Sequence, residues 1–145
     1  MTESTIKEHI QRYGWRFQYV FDADGVKEDF AYTIGLDESF NHPEVMIFGL
    51  KRETMHALLQ EIAEAVKGGK AFQPGERYAD IVSHGYEVMF KPLKKEFLPE
   101  YAGIASDYYN REFRMYVMLW PDKRNILPTE PNCQLTVQDE ALKIV

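Results

Sequence analysis

The first candidates for acid–base or nucleophilic chemistry in this 145-residue chain are four histidines, one cysteine and its carboxylates. The densest group is Asp37-Glu38-Ser39-Phe40-Asn41-His42-Pro43-Glu44. A carboxylate that orients an imidazole makes a general acid or base, so His42 with Asp37 or Glu44 is a candidate hydrolytic pair. The plainer expectation is that His42-Pro43 shapes a polar loop, since proline disfavours helix at the residue before it, and that Glu44 faces solvent. Trp120-Pro121-Asp122 is a second candidate. An indole at a strand exit can close a pocket, and Asp122 can accept hydrogen bonds from a ligand or from its own turn. Cys133 stands in Pro-Asn-Cys-Gln with no base beside it, and a thiol nucleophile needs one, so it reads as a small tail cysteine.

Other chemistries lack their residues. No two histidines stand four apart and there is no His-Glu-x-x-His, so no metal site is expected. Neither phosphate-cradling glycine motif occurs. A single cysteine excludes an intrachain disulfide. The start, Met1 to Glu8, has no basic segment followed by an apolar one, and no apolar run approaches the ~20 residues that span a bilayer. A cytoplasmic protein with no membrane partner is therefore expected. The net charge of −6 argues against a nucleic-acid backbone as partner and favours a protein with a basic surface.

These residues must be positioned by a chain whose periodicity changes several times. Residues 5–14 carry Ile6, Ile10 and Tyr13 at helical spacing. Residues 15–21 alternate, with Trp15, Phe17, Tyr19 and Phe21 on one face, and 29–36 alternate again, with turn residues Asp22-Ala23-Asp24-Gly25 between them. Residues 45–50 are apolar enough for an interior strand. Met55, Leu58, Leu59, Ile62 and Val66 mark the clearest helix, ended by Gly68-Gly69. Strands are expected at 77–82 and 86–90, a helix at 100–110, and a central strand at 114–120. A turn-rich tail, 123–145, follows, with one short strand at 134–137. Hairpins outnumber crossovers, so the chain predicts one α+β domain spanning 1–145: a mostly antiparallel or mixed sheet of about six strands with two to three helices.

Aromatics are abundant: nine Phe, nine Tyr and two Trp. Most fall on strand and helix faces that must pack, which leaves Tyr32 and Trp120, beside polar loops, as candidate pocket walls.

Trp15, Phe30-Ala31-Tyr32-Thr33-Ile34-Gly35-Leu36, His42-Pro43-Glu44-Val45 and Gly49-Leu50 together resemble the DUF4262 family of uncharacterised bacterial proteins. Gly69-Lys70-Ala71-Phe72-Gln73-Pro74-Gly75, Tyr108-Tyr109 and Trp120-Pro121-Asp122 extend the likeness over about residues 15–137. It departs in the tail, where Leu127-Pro128-Thr129 lacks an aromatic after the proline. The resemblance draws attention to Tyr32, Thr33, His42, Glu44, Trp120 and Asp122 as ligand- or partner-binding positions. A fainter likeness, in element order only, is to the FMN-binding split-barrel flavin reductases, and fold-level analogy does not establish function. The leading expectation is a binding module without catalytic machinery, of the kind that masks a basic partner as an immunity protein does. The alternatives are a flavin- or nucleotide-binding enzyme, with FMN in a pocket walled by Tyr32 and Trp120 between the hairpin and the His42 loop, and a hydrolase using His42.

Overall fold

The computed structural model describes residues 3–145. The chain forms α1 (Glu3–Tyr13), β1 (Arg16–Val20), β2 (Phe30–Ile34), α2 (Leu36–Phe40), β3 (Glu44–Phe48), α3 (Arg52–Lys67), β4 (Arg77–Tyr78), β5 (Val88–Pro92), α4 (Leu98–Tyr101), α5 (Gly103–Tyr109), β6 (Met115–Leu119) and α6 (Asp139–Ile144). The strands make one sheet in the order β1-β2-β3-β6-β5-β4. Its pairings are antiparallel except β3 with β6, which run parallel with Glu44 opposite Met115. The fold is a single α+β domain with a six-stranded mixed sheet whose edges are β1 and β4.

Alternation along the strands splits the core in two. Phe30, Tyr32, Ile34, Met46, Phe48, Val117 and Leu119 face one side, with Ile6 and Ile10 of α1, Ala105 of α5 and Ile144 of α6. Ala31, Val45, Ile47, Val88, Phe90 and Met118 face the other, against Met55, Leu59, Ile62 and Val66 of α3. Period two in the strands and period 3.6 in α3 are therefore both answered by burial. Both β2 and β3 are buried at every position because helices cover both faces. β6 lies between β3 and β5, the central place its apolarity predicts. Trp15, Phe17 and Tyr19 pack onto the α3 side, whereas Phe21 lies beyond β1 and is exposed.

Five sequence expectations need correction. The polar loop after β2 contains a helix, α2. The helix expected at 100–110 is two, because Ala102 leaves the helical region with φ −120° and ψ 45°. Residues 134–137 form no strand, and the tail ends in α6 instead. With these additions the α-helices among the described residues number six rather than two to three, although only α1 and α3 exceed seven residues. The strand at 77–82 is shorter than expected, covering Arg77–Tyr78.

Candidate functional site

Glu44 opens β3 and is fully buried, contrary to the expectation that it faces solvent. Its neighbours explain how a carboxylate is tolerated there. Oε1 accepts from Thr33 Oγ1 at 2.7 Å and from the Leu36 amide at 3.1 Å. Oε2 accepts from the amides of Gly35 at 3.0 Å and Asp37 at 3.1 Å, and from the Tyr109 hydroxyl. The three amides belong to the start of α2, whose first N–H groups have no partner within the helix. A carboxylate from a neighbouring strand thus caps a five-residue helix that has no capping side chain of its own. Burial pushes the Glu44 carboxyl up to about 7, while the hydrogen bonds from Tyr109, Thr33 and the amides pull it down. The same burial, together with the Glu44 charge, raises the Tyr109 hydroxyl above its ordinary value.

The residue before α2 is fixed by backbone sterics. Gly35 has φ 123°, and a Cβ there would stand 2.7 Å from the Gly14 carbonyl oxygen and 2.8 Å from Trp15 Cα. Only glycine lets the chain turn from β2 into α2 against the α1–β1 junction. The far end of α5 clamps the same helix from outside. Tyr108 donates to Glu38 at 2.8 Å, and Arg111 pairs with Asp37 at 2.7 Å while its guanidinium lies over the Tyr109 ring.

His42 is also buried, and both ring nitrogens are engaged. Nδ1 lies 2.8 Å from the Pro43 carbonyl, to which it must donate, and Nε2 accepts from the Phe72 amide at 3.1 Å. This is a neutral tautomer, and burial lowers its pKa below the ordinary histidine value. The imidazole staples the loop before β3 to the turn after α3, edge-on to Phe72 and Tyr116. The structure places no carboxylate on it. Asp37 is paired to Arg111, and the Glu44 oxygens are taken by the five donors described above.

The remaining candidates fall on different faces. Tyr32 points into the α4–α5 side, where burial pushes its hydroxyl up to about 12. Thr33 Oγ1 bridges Glu44 and the Val45 amide. Trp120 is on the α3 side, so it and Tyr32 do not wall one pocket. Asp122 organises its own turn, accepting from the amides of Arg124 at 2.8 Å and Ile126 at 3.0 Å. Those bonds outweigh its desolvation and hold its carboxyl below the ordinary range. Cys133 is free and half-buried.

Trp120 does line a cavity. It holds about 330 Å³ and is walled by Leu50, Thr54, Leu58, Val82, Ser83, Tyr86, Trp120, Pro121, Asp122 and Lys123. The indole is fixed by Nε1 donating to the Phe48 carbonyl at 2.8 Å. Gln138 accepts from the Trp120 amide at 3.0 Å and donates to its carbonyl at 2.8 Å. Leu50 and Trp120 follow the carboxyl ends of the two parallel strands, β3 and β6, a common position for ligands in sheets with parallel strands.

A model of the family described as a domain of unknown function, DUF4262, matches residues 9–134. The chain belongs to the DUF4262 family. No curated protein and no solved structure matches it. The DUF4262 match starts within α1, earlier than the resemblance in the motifs alone, and takes in Glu44, Tyr109, His42 and most of the Trp120 cavity's surroundings. It ends before Gln138 and α6, so the bonds that fix the Trp120 backbone come from outside the matched segment.

Sequence reading missed Tyr109 as a partner of Glu44, although Tyr108-Tyr109 belongs to the DUF4262 likeness. It also missed Gln138 and the α3 residues Thr54 and Leu58 of the cavity. Nothing in their local spacing separates these from ordinary surface and core positions. Among the described residues no group of three His, Cys, Asp or Glu side chains could hold a metal ion, and no helix is long and apolar enough to cross a membrane.

Proposed function

We propose that the protein is a binding module that seats an apolar group of its partner in the Trp120 cavity and performs no acid–base chemistry through His42 or Glu44. The observation that carries this reading is how the polar residues are used. Every oxygen of Glu44 and both nitrogens of His42 are engaged by the protein itself, in places solvent and substrate do not reach. The Trp120 cavity, by contrast, is open, mostly apolar and of a size suited to a small ligand or a partner's side chain. A large ring fixed by its Nε1 hydrogen bond, on a backbone held by two more from Gln138, makes a preorganised anchor. The net charge of −6 favours a basic partner, which the protein would mask in the manner of an immunity protein.

Affinity capture from the source cell at low and high salt tests this, with wild type beside Thr54→Glu. Thr54 is exposed at the cavity wall, so the variant keeps the core intact and makes the protein more acidic. A basic partner held by wild type and lost by Thr54→Glu supports the reading, because added negative charge alone would strengthen capture. Equal capture by both proteins contradicts it.

A further inference from the structure

A second cavity shares no residue with the first. It holds about 450 Å³ and lies around the start of edge strand β1, between α1 on one face of the sheet and α3 on the other. Its chemistry is opposite to that of the molecule as a whole. In a protein of net charge −6, the lining gathers Arg12, Arg16 and Lys67 against the single carboxylate of Glu64, and adds His9 and His56. None of the three cations forms a salt bridge among the described residues.

Arg16 is the centre of this imbalance. Its Nε is buried and has no hydrogen-bond partner among the described residues. Its one side-chain partner is His9 Nδ1, which accepts the hydrogen bond and does not neutralise the charge. Burial lowers the Arg16 pKa from its ordinary value, and no carboxylate among the described residues offsets that cost. A guanidinium fork in such a position matches the geometry of phosphate or carboxylate oxygens. The rest of the wall is aromatic: Trp15 and Phe17 line the same space, and Phe17 meets the His56 ring edge-on at 4.7 Å.

We propose that this cavity binds a small phosphate monoester carrying a flat ring, a mononucleotide being the simplest, with Arg12, Arg16 and Lys67 taking the phosphate and Trp15 and Phe17 facing the ring. Three cations suit a dianion better than a single carboxylate. A volume of about 450 Å³ suits one such molecule. The net charge of −6 disfavours a longer nucleic acid, whose successive phosphates it would repel.

Isothermal titration calorimetry with adenosine monophosphate, inorganic phosphate and adenosine as separate probes tests the proposal. Adenosine monophosphate is expected to bind at least tenfold more tightly than either fragment, and more weakly as salt rises. Arg12 and Lys67 are both exposed, so Arg12→Ala with Lys67→Ala leaves the melting temperature unchanged and weakens the nucleotide by about tenfold or more, the scale of lost charged hydrogen bonds. No heat of binding with adenosine monophosphate overturns the proposal. So does adenosine or inorganic phosphate binding as tightly as the nucleotide, or undiminished binding by the double variant.

Discussion

Replacing Glu44 by Gln separates the two forces acting on the buried carboxyl. Burial favours the protonated acid and five donors favour the carboxylate, and burial prevails, placing the group at about 7 against an ordinary 4.5. The folded state then holds a proton that the unfolded chain releases as pH rises above 4.5. The Glu44 contribution to stability is therefore complete below 4.5 and is lost as pH rises through about 7. At about 1.36 kcal/mol per pH unit over that span, the loss is about 3 kcal/mol. Glutamine keeps the shape and does not titrate, but its amide carries one more donor hydrogen than the protonated acid. That hydrogen must face a backbone amide of α2, which costs about 1–3 kcal/mol. Urea unfolding of both proteins from pH 4.5 to 8 is the assay. Glu44→Gln should be the less stable protein at pH 4.5 by about 1–3 kcal/mol, and the gap should close or reverse by pH 8. His42 titrates in both proteins and cancels in the difference. A gap that stays constant with pH, or widens as pH rises, refutes the reasoning, because the donors would then outweigh burial.

Three further outcomes follow from the same geometry. His42→Ala should cost about 3 kcal/mol, since it orphans the Phe72 amide and opens a hole beside Phe72 and Tyr116. Because burial lowers the imidazole pKa, the His42 contribution should fade as pH falls below the unfolded value of 6.5, so the stability gap between wild type and variant should narrow over that range. Gly35→Ala should fail to fold or melt far below wild type, as its Cβ meets backbone atoms at 2.7 and 2.8 Å, and circular dichroism melts read this directly. Gln138→Ala should cost about 2 kcal/mol by unpairing both backbone groups of Trp120, and should expose the α6 tail to limited proteolysis before the sheet unfolds.

The elements legible in the sequence are those whose pattern is satisfied within one segment. The α3 stripe and the alternation of β1, β2 and β6 each announce a buried face, and the lack of polar residues in β6 announces its central place. What could not be read depends on partners distant in sequence. Helix α2 has only five residues and no side-chain cap, so nothing local marks it; its N–H groups are answered by Glu44 from the next strand. Glu44 in turn looks like a loop carboxylate until Thr33 and Tyr109 are seen beside it, and Tyr109 lies 65 residues away. His42 beside acids carries the pattern of a catalytic pair, yet its two nitrogens are spent on Pro43 and Phe72. Type and spacing show that a polar residue is present, and only the fold shows which groups already occupy it. The same holds for Trp120. Its position at a strand exit suggested a pocket wall, but its neighbours there, Thr54 and Leu58, come from α3 and not from the hairpin.

The central claim is that Trp120 is the anchor for a partner, and its own fluorescence tests this most directly. The chain has two tryptophans, so Trp15→Phe leaves Trp120 as the sole emitter. Titrating that variant with its captured partner should shift the emission to shorter wavelength and shield it from acrylamide, because the cavity is filled and the indole's open side is covered. A complex that forms while Trp120 emission and quenching stay as in the free protein would contradict the account.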